Sequence, residues 1–207
     1  MVANARWQVR RLDPPGTRAL NSTGTRAVDL AITALVLSVA AMAWFGWGQA
    51  QPPSGWSPVL TAGSIISIAV ALLSGAVSWR CRRHEEASMH DPAARRAYWR
   101  IVGTEVAACM LGVVVLGVAG QTGFLAAWIL LVVGAHFLPL GRVFRIAELY
   151  AAGIAVSVIA VAAAITGAAT SVAPSTVAGA GGGLVCLIAA LFCLRRSRTA
   201  TPVEGGS

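Results

Sequence analysis

Long uncharged apolar stretches make up most of the chain, and short polar segments separate them. A helix that rises about 1.5 Å per residue needs roughly 20 apolar residues to cross about 30 Å of hydrocarbon. Six stretches are long enough, and we predict a transmembrane helix for each of them: 28–48, 57–79, 99–119, 122–140, 147–168 and 175–194. The pattern therefore predicts an all-α, polytopic integral membrane protein whose single domain is a bundle of six transmembrane helices.

The third and fourth stretches nearly touch, so the chain must reverse between them. A continuous helix from residue 99 to residue 140 would be roughly 60 Å long, about twice the thickness of the membrane. Gly120 and Gly123 lie at the junction, and glycine tolerates the backbone conformations of a tight turn. Asp91 and Pro92 favour a helix N-terminus. We expect the third helix to begin near Pro92 and to run unbroken to about Ala119.

The charged residues alternate between the segments that join the stretches. All 16 basic residues are arginines. They lie in the N-terminal segment, in the second and fourth joining segments and in the C-terminal segment, whereas the first, third and fifth joining segments have none. Basic segments stay on the cytoplasmic side during insertion. The alternation predicts an even number of spans with both termini cytoplasmic, so that residues 1–27 and 195–207 form basic cytoplasmic tails.

The composition excludes a soluble globular domain. Hydrophobic residues make up 57% of the chain and charged residues 12%, whereas soluble domains have about 25% charged residues. A net charge of +8 would suit nucleic acid, but arginines confined to alternate segments suit a bilayer better. We expect anionic lipid headgroups at the cytoplasmic face as partners and no nucleic acid. Abundant Arg, Ala and Gly without Lys suggests the plasma membrane of a bacterium with a GC-rich genome.

Two ionisable residues lie inside the predicted spans at matching depth. Glu105 follows Arg100 by five residues, and His136 precedes Arg142 by six. Each lies roughly 7 to 9 Å deeper in the membrane than the arginine that anchors its helix at the inner surface. A tight turn joins the two helices, so the two side chains can meet. Ionisable residues in a bilayer are costly unless paired or hydrated, and they often mark functional sites. The functional hypothesis is a cavity, open to the cytoplasm, in which this pair binds a cation or relays a proton.

Three further residues complete a candidate polar site in an inner vestibule. Asp29 and Glu148 lie about 4 to 5 Å below the inner anchors, and Arg142 is the anchor of the fourth helix. The structural alternative is that Glu105 pairs with Arg100 or His136 purely to neutralise its charge, or extends to the interface. No complete set of metal ligands and no nucleotide-binding signature is present in the sequence. We expect no catalytic residue, no metal and no cofactor.

Small residues in the last predicted span favour close helix packing. Gly179 and Gly183 are four residues apart, with Gly181 and Gly182 between them. This spacing lets helix backbones approach each other closely, because packing drives helix association in lipid. A phosphate-binding loop would need a Lys and a Ser or Thr at fixed offsets, and these residues are missing. We predict packing by Gly179 and Gly183, either within the chain or between chains of a homo-oligomer.

One short stretch resembles other proteins. The residues from His136 to Leu140 read His-Phe-Leu-Pro-Leu, which is similar to a His-Phe-x-Pro-Leu stretch in small, uncharacterised multi-pass bacterial membrane proteins. The resemblance covers about nine residues, extending to Phe144. It implies a multi-pass membrane fold and no particular activity.

Three classes of function are consistent with these features. A non-catalytic membrane or accessory subunit needs only the packing surfaces and the basic inner face, and it is the leading interpretation. A small transporter or permease would use the Glu/His site of the inner leaflet, but few polar groups lie within the membrane and none in its outer half. A membrane-embedded enzyme would need a fuller set of catalytic groups near the interface.

Overall fold

A computed structural model of the protein describes residues 15–82 and 92–200, and this part of the chain forms six long helices. They are α1 (Pro15–Gly48), α2 (Ser57–Arg82), α3 (Pro92–Val118), α4 (Leu125–Phe144), α5 (Ala147–Ala169) and α6 (Pro174–Ala200). A 3₁₀ turn, Thr122–Phe124, precedes α4. All six helices are long and apolar enough to cross a membrane. The predicted all-α bundle of six membrane-spanning helices is therefore confirmed.

Several helices extend beyond the predicted spans. Helix α1 begins at Pro15, so its first turns lie in the predicted N-terminal tail. Helix α6 continues to Ala200, through the first residues of the predicted C-terminal tail. Helix α4 passes through Pro139 and ends at Phe144. The predicted bounds are shorter because apolar length marks only the part of a helix that suits hydrocarbon. Residues 1–14 and 201–207 of the two predicted tails lie outside the described residues.

The reversal between α3 and the 3₁₀ turn is built on Gly120. This residue has a φ of +68°, in the left-handed region. Its N–H donates to Gly117 O at 3.1 Å, and the N–H of Gln121 donates to Leu116 O at 2.8 Å. These two bonds form a Schellman motif, which satisfies the last carbonyls of the helix. The structure thus reverses the chain at Gly120, where the sequence places it, whereas Gly123 lies within the 3₁₀ turn.

Helix α6 lies at the centre of the bundle and α3 lies at its edge. Helix α1 packs on α2 and α6, α5 packs on α4 and α6, and α3 packs on α4. Within the most apolar part of each span, 56% of the residues are buried in α6 but only 6% in α3. The neighbours therefore follow the order α2, α1, α6, α5, α4, α3. The two helices at the ends of this order are α2, which packs on α1, and α3, which packs on α4.

The glycines of α6 explain why this helix is central. A Cβ atom at Gly179 would lie 2.4 Å from Gly48 Cα on α1, and one at Gly183 would lie 2.9 Å from the ring of Phe45. Gly181 faces Ile159 on α5, and Gly182 faces Leu130 on α4 and Trp44 on α1. Gly179 and Gly183 therefore pack against α1 of the same chain, and the four glycines bring three helices close to α6.

Helix α3 is attached to α4 through an indole ring. A Cβ atom at Gly112 would lie 1.9 Å from Trp128 Nε1, so the ring occupies the space that a side chain would need. The indole N–H donates a hydrogen bond to the carbonyl oxygen of Ala108 at 3.0 Å. This bond gives α3 a defined rotation and height against α4.

Candidate functional site

The structure brings Glu105 on α3 together with His136 on α4. Glu105 Oε2 lies 3.1 Å from His136 Nδ1, and the side chains are 22% and 9% exposed. The contact is short enough for an ion pair, although Nδ1 makes no hydrogen bond of normal geometry. A carboxylate charge inside the membrane is costly. A proton shared by the two groups, or a cation beside them, would offset this cost.

His136 also lines a cavity of about 230 Å³ in the half of the bundle that carries the arginines. We call this half the basic end, meaning the start of α1, α3 and α5 and the end of α2, α4 and α6. Asp29 and Thr33 of α1 form the facing wall of this inner cavity, and Glu105 stands behind His136. The other residues that line it are apolar or aromatic: Ile32, Val36, Leu37, Tyr98, Phe137, Leu140, Phe144 and Leu149.

Two of the five predicted site residues lie elsewhere. Glu148 at the start of α5 pairs with Arg196 near the end of α6. The guanidinium of Arg142 lies 6.0 Å from the centre of the Tyr150 ring. Neither Glu148 nor Arg142 lines the inner cavity. The depth of a residue below the arginines can be counted from the sequence. The rotation of each helix about its axis depends on packing, and this rotation turns Glu148 and Arg142 away from the inner cavity.

A second cavity, of about 540 Å³, opens at the opposite end of the bundle. We call this end the uncharged end, since residues 48–57, 118–125 and 168–175 contain no charged side chain. Gln51, Thr122, Ser171 and Ser175 contribute polar groups to this outer cavity, and Trp47 contributes an aromatic ring. The ring of Trp47 stacks on that of Trp44, with centroids 5.5 Å apart and an interplanar angle of 7°.

The two cavities lie along the same helices and are separated by a layer of large side chains. Leu37 of α1 lines the inner cavity and Trp47 lines the outer one, about 15 Å apart along the helix axis. Between them lies Trp44, which is 6% exposed, and on α4 lies Leu130, which is fully buried. A Cβ atom on Gly182 would be 2.7 Å from Leu130 Cδ1 and 3.5 Å from Trp44 Cδ2. Trp44, Leu130 and Gly182 thus meet, and we call them the central plug.

Most of the aromatic and apolar residues of this arrangement could not be predicted from the sequence. Phe137 and Phe144 line the inner cavity, but in the sequence they look like any other residues of an apolar span. Arg196 is the partner of Glu148, although 48 residues separate them. Only the positions of Trp44 and Trp47 are indicated by the sequence, since aromatic residues near the end of a span favour the membrane interface.

No family model, curated protein or solved structure matches this chain. The resemblance of the His136–Leu140 stretch to small bacterial membrane proteins therefore stays a prediction. Function has to be inferred from the cavity and its charged residues.

Proposed function

We propose that the protein is a small membrane transporter that exchanges a cation for a proton at the inner cavity. The observation that carries this proposal is the Glu105–His136 pair next to the inner cavity. His136 lines this cavity, and Asp29 lines its other wall. A structural ion pair needs only a partner for the carboxylate. It does not need an adjoining cavity with a second acidic residue.

The charge of the lining favours a cation over an anion. Among the described residues, Asp29 is the acidic side chain and His136 the imidazole that line the inner cavity, Glu105 contacts the histidine, and no arginine lines the wall. Two carboxylates and one imidazole at or next to the cavity favour a cation over an anion.

Transport is also supported by the outer cavity and the central plug. Alternating access requires a site that opens to one side while a closed layer blocks the other. The inner cavity, the plug and the outer cavity follow one another along α1 and α4 in this order. Trp44 of α1 and Leu130 of α4 both approach Gly182 of α6, so a shift of α1 or α4 relative to α6 would connect the two cavities.

The orientation and membrane follow from the arginines. Their alternation supports a basic end in the cytoplasm, with both termini on that side and anionic lipid headgroups around it. We propose a bacterial plasma membrane as the location, on the basis of a composition rich in Arg, Ala and Gly without Lys. In this orientation the inner cavity lies in the cytoplasmic half of the membrane.

The accessory-subunit interpretation loses part of its support. It depended on glycine surfaces that were free to dock a partner, but Gly179 and Gly183 pack against α1 within the chain. The basic inner ends of the helices remain as possible partner surfaces. The subunit and enzyme interpretations both stay predictions, and the geometry favours transport.

Proton movement in liposomes tests the proposal. Purified protein is reconstituted with a pH-sensitive dye inside the vesicles, and gradients of K⁺, Na⁺, Mg²⁺ or small organic ammonium ions are imposed in turn. We expect at least one gradient to drive proton movement faster than in protein-free liposomes.

The Glu105→Gln variant should lose this movement. The matched control is Glu148→Gln, which neutralises an acidic residue near the basic end but outside the cavity, and it should keep it. Movement no faster than in protein-free liposomes for every gradient, or equal movement in Glu105→Gln and wild type, would refute transport through this site.

A further inference from the structure

We infer that the ligand of the inner cavity is an organic ammonium ion with an apolar or aromatic body, and not an inorganic ion. This inference rests on the proposed function, since it names the class of cation that the same site accepts. It is carried by the lining of the cavity, where Asp29 and His136 lie among mostly apolar and aromatic side chains.

The coordination chemistry of the wall does not suit a metal ion. Mg²⁺ and Ca²⁺ require six or more oxygen ligands at short distances. Within the described part of the chain, no group of three or more His, Cys, Asp or Glu side chains could hold a metal. The cavity presents one carboxylate and one imidazole, and most of its remaining surface is hydrocarbon. A small, strongly hydrated cation would lose its water there without receiving enough ligands in return.

The aromatic residues of the cavity suit an ammonium ion. Tyr98, Phe137 and Phe144 line it, and the rings of Tyr98 and Phe144 lie 6.4 Å apart at an angle of 60°. The faces of such rings attract ammonium ions, most strongly where water is excluded. The apolar part of the ligand would cover Ile32, Val36 and Leu140, while its charge faces Asp29 and the Glu105–His136 pair.

The outer half of the bundle supports the same class of ligand. It has no acidic residue to receive a metal ion or a proton, and this weighed against transport in the sequence. An organic ammonium ion does not need one, because indole rings bind it through their faces. The ring of Trp44 in the central plug stacks on that of Trp47, which lines the outer cavity, so an ion that passes the plug would meet the ring of Trp47.

Binding of benzyltrimethylammonium to the purified protein in detergent tests the inference. Neopentylbenzene is the comparison ligand, because it has nearly the same shape with carbon in place of the charged nitrogen. We expect the ammonium ion to bind at least tenfold more tightly than the neutral compound. Tetramethylammonium, which has the charge but no aromatic body, should bind more weakly than the benzyl compound by about three- to tenfold, the loss expected for one aromatic pair.

Variants assign the binding to this cavity. Asp29→Asn and Glu105→Gln should each weaken binding of benzyltrimethylammonium by about tenfold, and Phe137→Leu by about threefold. Glu148→Gln should leave it unchanged. Size-exclusion profiles check that each variant is folded. If Glu105→Gln does not fold, Asp29→Asn and Phe137→Leu still test the inference. Equal binding of the charged and neutral compounds, no binding at all, or displacement by equimolar Mg²⁺ or Na⁺ would overturn the inference.

The outcome separates this inference from the proposed function. Binding without any transport in liposomes would leave the ligand class intact and refute the transporter. Proton movement that depends on Glu105 but responds only to inorganic cations would leave the transporter intact and refute the ligand class.

Discussion

The packing of α1 against α6 at Gly179 provides the most sharply defined perturbation. A Cβ atom there would lie 2.4 Å from both Cα and N of Gly48 and 2.6 Å from the carbonyl oxygen of Trp44. This is about 1 Å closer than the 3.4 Å at which ordinary van der Waals contact begins. All three neighbours are backbone atoms, so no side chain can rotate to make room. Gly179→Ala must therefore push the two helices apart.

The expected loss of stability is about 1–3 kcal/mol, the usual cost of adding a carbon atom to a well-packed core. Gly183→Ala should cost less, because its Cβ would meet the Phe45 ring at 2.9 Å and not the backbone. That ring has limited freedom, since Gly63 on α2 approaches its other atoms equally closely. The control is Gly46→Ala, two positions from Gly48 on α1, where a Cβ would have no neighbour within 4 Å.

Reversible unfolding in mixed micelles of mild detergent and sodium dodecyl sulfate measures these differences. Gly179→Ala should unfold at the lowest fraction of dodecyl sulfate, Gly183→Ala at an intermediate fraction, and Gly46→Ala at or slightly above the wild-type value. The slight gain for Gly46→Ala reflects the higher helix propensity of alanine. Equal stability of Gly179→Ala and Gly46→Ala would show that α1 and α6 do not approach each other in this way.

Three further substitutions test other parts of the account. Trp128→Phe removes the hydrogen bond to Ala108 O and should lower stability in the same assay by about 0.5–1.5 kcal/mol. A variant as stable as wild type would show that this bond does not hold α3 against α4. Gly120→Ala places a side chain at a φ of +68° and should cost about 1–2 kcal/mol, whereas Gly117→Ala, with open space around it, should cost nothing; equal effects would contradict the turn. Trp44→Ala opens the central plug and should raise the passive proton leak of reconstituted liposomes several-fold, and an unchanged leak would show that Trp44 does not separate the two cavities.

The spans could be predicted from the sequence because the bilayer imposes a simple rule. Each must be apolar over roughly 20 residues, and its backbone groups must be satisfied within the helix. The helix ends follow a weaker rule, so Pro15 and Ala200 as the limits of α1 and α6 were not predicted. The turn at Gly120 was predictable, because one long apolar run had to fold back on itself.

The candidate site was only half predictable, for a geometric reason. The heights of Glu105 and His136 follow from counting residues from the arginines, and the short turn between α3 and α4 makes these helices neighbours. The rotation of α5 and the position of α6 depend on packing by glycines, including the approach of Gly134 to Gly153. For this reason the pairing of Glu148 with Arg196 could not be predicted.

Water access to the inner cavity is the most direct test of the central claim. The four cysteines, Cys81, Cys109, Cys186 and Cys193, form no disulfide and would first be replaced by alanine. Thr33→Cys, on the cavity wall, is then compared with Ile154→Cys, which lies at similar depth on the lipid-exposed surface of α5. A membrane-impermeant maleimide added at the basic end should label Thr33→Cys and leave Ile154→Cys unlabelled, and benzyltrimethylammonium should slow the labelling. Failure of both cysteines to react would show that lipid fills the cavity and would contradict a cation site open to the cytoplasm.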